Sequence, residues 1–269
     1  MSGPRISVVT VVRDDLAGLL ATRASLRAQT FRDWEWIVVD GASTDGTATW
    51  LAAHADEPAW WRSAPDGGPY EAMNIGLAAA RGAYVLFLNA GDTLAGPEVL
   101  ARCAAEDADF LYGDAFERCA DGVCRLKPAR SHRFSVYGMF THHQAMLYRR
   151  TLVTAIAFES RFAVGADYAF TLRALAGARR VVRLGFPVCV FASGGLSTRD
   201  VARGRRDQTL IRRELLGIGR LPCAAITATQ CCAAVIKIHF PGAYWMRRFQ
   251  GWKRRFVYGP TRLPGSNWG

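Results

Sequence analysis

An α/β fold, organised as a Rossmann-like, doubly wound and mostly parallel sheet with a basic helical extension at the C-terminus, is predicted by three observations. Short uninterrupted apolar runs at Ile6–Val12, 36–39 and 84–88 have the length and β-branched content of strands buried on both faces. The first run is followed by Leu16, Leu19, Leu20 and Leu26 at helical spacing, and the repeated strand–helix rhythm is that of parallel α/β units. Charge then divides the chain: residues 1–198 hold 20 basic and 20 acidic side chains and residues 199–269 hold 14 and 3, so the net charge of +11 lies wholly in the C-terminal part.

With 269 residues and 50% hydrophobic content, the chain can bury a large core without a stapling cofactor. Seven cysteines, an odd number with no Cys-x-x-Cys pair, are expected to be reduced thiols. The N-terminal apolar run is too short for a signal-peptide core and is closed by Arg13, Asp14 and Asp15, so nothing in it directs export.

In order along the chain, the first strand leads into Thr10-Val11-Val12-Arg13-Asp14, with none of the glycines that a dinucleotide-binding turn needs, which argues against an oxidoreductase. The second strand ends in Asp40-Gly41-Ala42-Ser43-Thr44-Asp45-Gly46-Thr47, a small polar loop with Thr44 or Asp45 as N-cap of a helix. Asp66-Gly67-Gly68 form a turn, and Pro69 suits the first position of a helix over 70–80. Gly76 inside that helix costs ~1 kcal/mol relative to Ala, which predicts a close approach by another backbone or a ligand. The strand over 84–88 stops at Asn89-Ala90-Gly91-Asp92. Asp92 is there either a metal ligand at the carboxyl edge of the sheet or part of a turn capping the helix after Pro97.

These residues together resemble family 2 glycosyltransferases of the GT-A fold, in the bacterial exopolysaccharide and lipopolysaccharide branch. The similarity is carried by Thr10, the Asp40 to Thr47 loop, Asp66 with Gly68, Tyr70-Glu71-Ala72-Met73-Asn74-x-Gly76, Arg81-Gly82 and Asn89 to Asp92. It implies that Thr10, Asp40, Ser43, Asp45, Asp66, Asn74 and Asn89 contact a nucleotide-diphosphate sugar, a UDP-sugar above others. It implies also that Asp92 holds a divalent cation, Mn²⁺ or Mg²⁺, against the leaving diphosphate. Many members of that family carry Asp-x-Asp or Asp-Asp in this turn, whereas this chain has Asn89 and Gly91.

Beyond Asp92, residues 109–112 and 123–127 read as strands around a turn at Asp121-Gly122, with Asp114 between them as a turn residue or an acceptor-facing group. Two adjacent histidines cannot both point the same way from a strand, which argues against a shared metal site at His142 and His143; one of them, with Gln144, is a candidate contact to sugar or phosphate, and otherwise they cap a loop. The resemblance makes Asp167, at the start of a helix, the base that deprotonates the acceptor hydroxyl in an inverting transfer. The same Asp is also suited to N-capping that helix. Gly194 and Gly195 belong either to a loop that orders over the nucleotide or to a plain linker into the C-terminal region.

In the C-terminal part, helices are expected over 199–216 and 222–239. The uncharged stretch 221–236 falls short of the ~20 apolar residues of a spanning helix. Trp245, Phe249, Trp252 and Phe256 form one stripe flanked by arginines, which predicts contact of residues 243–258 with an anionic membrane, or packing on the catalytic domain, and not nucleic acid. The expected organisation is a catalytic domain over 1–198, with the donor side over 1–95 and the acceptor side over 96–198, then an interfacial extension over 199–269. Its expected place is the cytoplasm, on the inner face of the cytoplasmic membrane, acting on a saccharide or polyprenyl-diphosphate-linked acceptor. The competing expectation is a non-catalytic relative that docks a membrane polysaccharide assembly.

Overall fold

The computed structural model describes residues 3–118, 124–192 and 200–239, without the side chains of 237–239. Four strands, β1 (Ile6–Val12), β2 (Trp34–Asp40), β3 (Trp60–Ser63) and β4 (Tyr84–Phe87), pair in parallel in the order β3-β2-β1-β4. Three helices connect them: α1 (Leu16–Arg27), α2 (Thr47–Ala53) and α3 (Pro69–Ala79). Alternate residues of β1 serve two cores. Val9 and Val11 pack with Met73 and Leu77 of α3, while Ile6, Val8 and Val12 pack with Leu19 and Leu26 of α1. This is why the apolar runs are continuous rather than alternating. Gly76 answers to this packing: a Cβ there would lie 2.3 Å from Val9 Cγ1, so the close approach expected at Gly76 is by the sheet.

The second half adds β5 (Thr93–Leu94), α4 (Val99–Ala104), β6 (Phe110–Arg118), β7 (Cys124–Lys127), β8 (Met146–Arg149), α5 (Arg150–Val153), α6 (Ala166–Gly177) and β9 (Val181–Ala192). The full sheet runs β3-β2-β1-β4-β8-β6-β9-β5, with β7 on β6, and becomes mixed where β8 lies antiparallel between β4 and β6. Asp114 is not a turn residue. It sits within β6 at a register shift against β9, buried, accepting from Ala129 N at 2.8 Å and from Arg183 Nη2 at 3.3 Å.

The first compact unit extends to Ile218, past the boundary expected at 198, because α7 (Val201–Leu215) packs on the start of α6. Buried Asp207 accepts from Val164 N (2.8 Å) and Gly165 N (3.0 Å), and fully buried Arg212 donates from Nε to Val136 O. The second unit begins at Gly219 and contains α8 (Arg220–His239). Among the described residues no helix is long and apolar enough to cross a membrane.

Candidate active site

In the order β3-β2-β1-β4 the chain reverses direction across the sheet next to β1, and the crevice at the carboxyl ends of β1 and β4 is where such sheets hold ligands. Two loops meet there. Asp14 N donates to Ser43 Oγ (2.7 Å), Asp14 Oδ1 accepts from Thr44 N (2.7 Å), and Asp45 Oδ2 accepts from Leu16 N (2.7 Å). Asp45 also takes the Thr47 hydroxyl and amide, the first of which does most to hold its carboxyl below the ordinary aspartate range. The N-cap position of α2 is Gly46, one residue beyond Asp45.

Asp40 is fully buried and bonds inward, accepting from Ser63 Oγ (2.5 Å), from Ser43 N and from the Ser43 hydroxyl. It therefore shapes the loop rather than lining an open pocket. Thr10, also expected to line the base pocket, belongs to the core: it is 0% exposed and its hydroxyl accepts from Trp36 Nε1 at 3.0 Å. Asp66 accepts from Gly68 N (2.9 Å), and its carboxylate lies directly against Gly41. Asn74, expected at the nucleotide, is engaged at both ends of its amide by the backbone of Phe158, at 2.9 and 2.8 Å. These two bonds instead tie α3 to the segment before α6.

The turn after β4 is pinned by Thr22, whose hydroxyl lies 2.7 Å from Asp92 O and 3.2 Å from Asn89 O. Gly91 adopts φ 87°, a conformation that disfavours any side chain. Asp92 is 3% exposed; Oδ1 accepts from Ala192 N and Oδ2 from Gln144 Nε2, both at 2.8 Å. Burial pushes its carboxyl up to about 6. Asp92, expected to hold a metal, is buried and has one internal hydrogen bond on each carboxylate oxygen, so an ion would have to share an oxygen with one of these donors. Two neutral oxygens beside it fit better: Asn89 Oδ1 and Gln144 Oε1 are buried without a hydrogen-bond partner, and uncharged oxygens are ligands that hard divalent cations accept. Among the described residues no group of three or more His, Cys, Asp or Glu could hold a metal by itself.

A cavity of about 330 Å³ opens from Asn89 toward α7. Asp167 enters it from the second residue of α6; the cap position is Gly165, so Asp167 is not the N-cap. Its Oδ1 accepts from Tyr168 N at 2.8 Å, and its Oδ2 lies 3.4 Å from His143 Nδ1. His143 Nε2 reaches Asn89 Nδ2 at 3.5 Å, so the imidazole spans the end of β4 and the carboxylate on α6. His142 and His143 diverge from a 3-10 turn over His143–Ala145, not from a strand. His142 stacks on Phe191 and contacts Glu117 (2.9 Å) and Lys127 (3.0 Å). Burial lowers its pKa, while its bond to Glu117 is the main cause holding that carboxyl well below the usual range.

Apolar walls are supplied by Tyr70, Met73, Met139 and Phe191, and the far wall by Arg205 and Gln208 of α7. Lys127, Arg205 and Gln208 carry no local motif that points to a site; only the fold brings them to the cavity, with Glu117 beside Lys127. Gly194, Gly195 and the stretch 243–258 lie outside the described residues.

An open sheet with acidic loops at its parallel edge, beside a cavity holding a reachable carboxylate, is the layout of a GT-A glycosyltransferase. The Glycosyl transferase family 2 model matches residues 7–162, and the chain belongs to that family. It is 36% identical to the uncharacterized glycosyltransferase Rv1514c of Mycobacterium tuberculosis over 183 residues, 64% of this chain and 70% of that one. It is 31% identical to the PGL/p-HBAD biosynthesis glycosyltransferase Rv2957 of the same organism over 272 residues, 95% of this chain and 100% of that one. Among solved structures, S. aureus TarS 1-349 in complex with UDP-GlcNAc is similar with a TM-score of 0.65 at 22% identity, over 84% of this chain and 71% of that one. The chain spans 42% of the longer TarS chain. The mannosyltransferase PcManGT of Pyrobaculum calidifontis, in complex with GDP-Man and Mn²⁺, has a TM-score of 0.60 at 18% identity over 94% and 88%. At these identities the structural likeness speaks for the fold alone.

Proposed function

We propose that this glycosyltransferase moves a sugar from a UDP-linked donor to a saccharide acceptor with inversion at the anomeric carbon. The observation that carries the reading is the convergence of Asn89, His143 and Asp167 on one cavity at the carboxyl end of β4. The donor lies over the Ser43 to Asp45 and Asp66 loops, and the acceptor enters the cavity. The acceptor oxygen attacks the anomeric carbon, the bond from that carbon to the diphosphate oxygen breaks with its electron pair going to the diphosphate, and the acceptor proton passes to Asp167. General-base help of this kind contributes roughly 10²–10⁴-fold. His143 orients the Asp167 carboxylate from one side while Tyr168 N holds the other oxygen.

A divalent cation, when bound with the donor, neutralises charge on the departing diphosphate. Asn89 Oδ1 and Gln144 Oε1 are the groups that would hold it, with Asp92 orienting Gln144 from behind. The basic 243–258 stretch supports contact with anionic lipid on the inner face of the cytoplasmic membrane.

The test is a panel of UDP-, GDP- and dTDP-sugars with Mn²⁺ or Mg²⁺, read by calorimetry and by release of nucleotide diphosphate. Binding and turnover of one donor is expected, and indifference to every donor would sink the proposal. For the membrane part, replacing Arg247, Arg248, Lys253, Arg254 and Arg255 by Gln in the full chain should abolish binding to anionic vesicles; undiminished binding counts against it.

A further inference from the structure

We propose that Arg205 makes the α7 wall of the cavity a subsite for a cluster of anionic oxygens on the acceptor, a phosphate or a carboxylate. The inference rests on the cavity being the acceptor site and names the acceptor's charge. Arg205 is half-buried and lines the cavity, with Gln208 one turn along the same helix. Its guanidinium has no hydrogen bond or ion pair among the described residues, whereas the other cation at the cavity, Lys127, is matched by Glu117 at 2.8 Å.

The acids of α7 and its cap all face elsewhere. Asp200 accepts from Arg203 N at the start of the helix, Asp207 is held by Val164 N and Gly165 N, and Glu214 pairs with Arg161 at 2.7 Å. Outside the described backbone the sequence offers a single acidic side chain, Asp121. A guanidinium half withdrawn from water without a counter-charge is unfavourable, and its planar fork matches the paired oxygens of phosphate or carboxylate.

The helix that presents Arg205 is rigidly seated. A Cβ on Gly204 would lie 3.2 Å from Val164 Cγ1, and one on Gly165 would lie 2.9 Å from Asp207 Cβ, so α7 is pressed against the segment that starts α6 and delivers Asp167. Arg212 fixes Gln208 by donating from Nη2 to its Oε1 at 3.1 Å. The apolar walls formed by Tyr70, Met73, Met139 and Phe191 suit the faces of a sugar ring. An acceptor with an apolar-faced ring near Asp167 and anionic oxygens near Arg205 satisfies all of these groups at once.

The test compares wild type with Arg205→Gln and Arg205→Lys, each saturated with UDP, by calorimetric titration with inorganic pyrophosphate and, separately, with glucuronate. We expect pyrophosphate to bind wild type and to weaken at least 10-fold in Arg205→Gln, with partial recovery in Arg205→Lys and UDP affinity within twofold throughout. Dependence on Arg205 for glucuronate alone would assign the anion to a sugar carboxylate instead of a phosphate carrier. Equal affinity of wild type and Arg205→Gln for both probes, or no binding of either by wild type, would overturn the subsite. Failure of wild type to bind UDP would count against the sugar-transfer reading, while the pyrophosphate comparison would still report on Arg205.

Discussion

Gln144 Nε2 donates to Asp92 Oδ2 at 2.8 Å, so the acid that ends the β4 turn is bound from inside the protein by a residue 52 positions away. With Ala192 N on the other oxygen, this carboxylate joins the ends of β4 and β9 to the turn that carries His143. It holds the frame of the cavity's β4 end.

Burial sets a pH dependence on this acid. Asp92 titrates at about 6 in the folded chain against a reference of 3.8, so the folded state binds its proton more tightly than the unfolded state does. An acid with a raised pKa adds stability below the unfolded value and loses it as pH rises through the folded one. Between about pH 4 and pH 6 the wild type should therefore lose about 2 kcal/mol relative to Asp92→Asn, part of a total of about 3 kcal/mol spread from below pH 4 to above pH 6. Urea unfolding at pH 4, 5, 6 and 7 measures this, and a constant gap between the two proteins would contradict it.

Asn74→Ala removes the pair of bonds to Phe158 that ties α3 to the segment preceding α6. It should lower stability by roughly 1–3 kcal/mol, since a backbone donor and acceptor lose their partner. UDP affinity, measured where the variant is fully folded, should stay within twofold. A large loss of UDP affinity without loss of stability would return Asn74 to the nucleotide.

What the sequence could tell depended on how local each signal was. The parallel half of the sheet was legible because burial on both faces leaves a local signature, and β1 runs over Ile6–Val12 as expected. Pro69 and Gly76 were legible for the same reason, each answering a local backbone or packing demand. Strand β3 was not, since Trp60–Ser63 at the sheet edge alternates exposed and half-buried residues over only four positions. Side-chain partners were the hardest to read. Thr10 meets Trp36, Asn74 meets Phe158 and Asp92 meets Gln144, each across a chain separation that no motif spacing encodes.

Metal binding should require the donor. The free protein offers the neutral oxygens of Asn89 and Gln144 but no open carboxylate in the turn. Titration of Mn²⁺ into the protein alone should give no saturable heat, and titration into the UDP complex should give one site. Saturable Mn²⁺ binding without nucleotide would show that Asp92 or another acid opens to the ion.

Asp167→Asn is the most direct test of sugar transfer at this site, because it keeps the shape of the side chain and the contact with Tyr168 N while removing the proton acceptor. The measurement is kcat with the best donor and acceptor, alongside UDP affinity by calorimetry. A fall in kcat of about 10²-fold or more with UDP affinity within twofold is the predicted result. A wild-type kcat in Asp167→Asn would contradict the account.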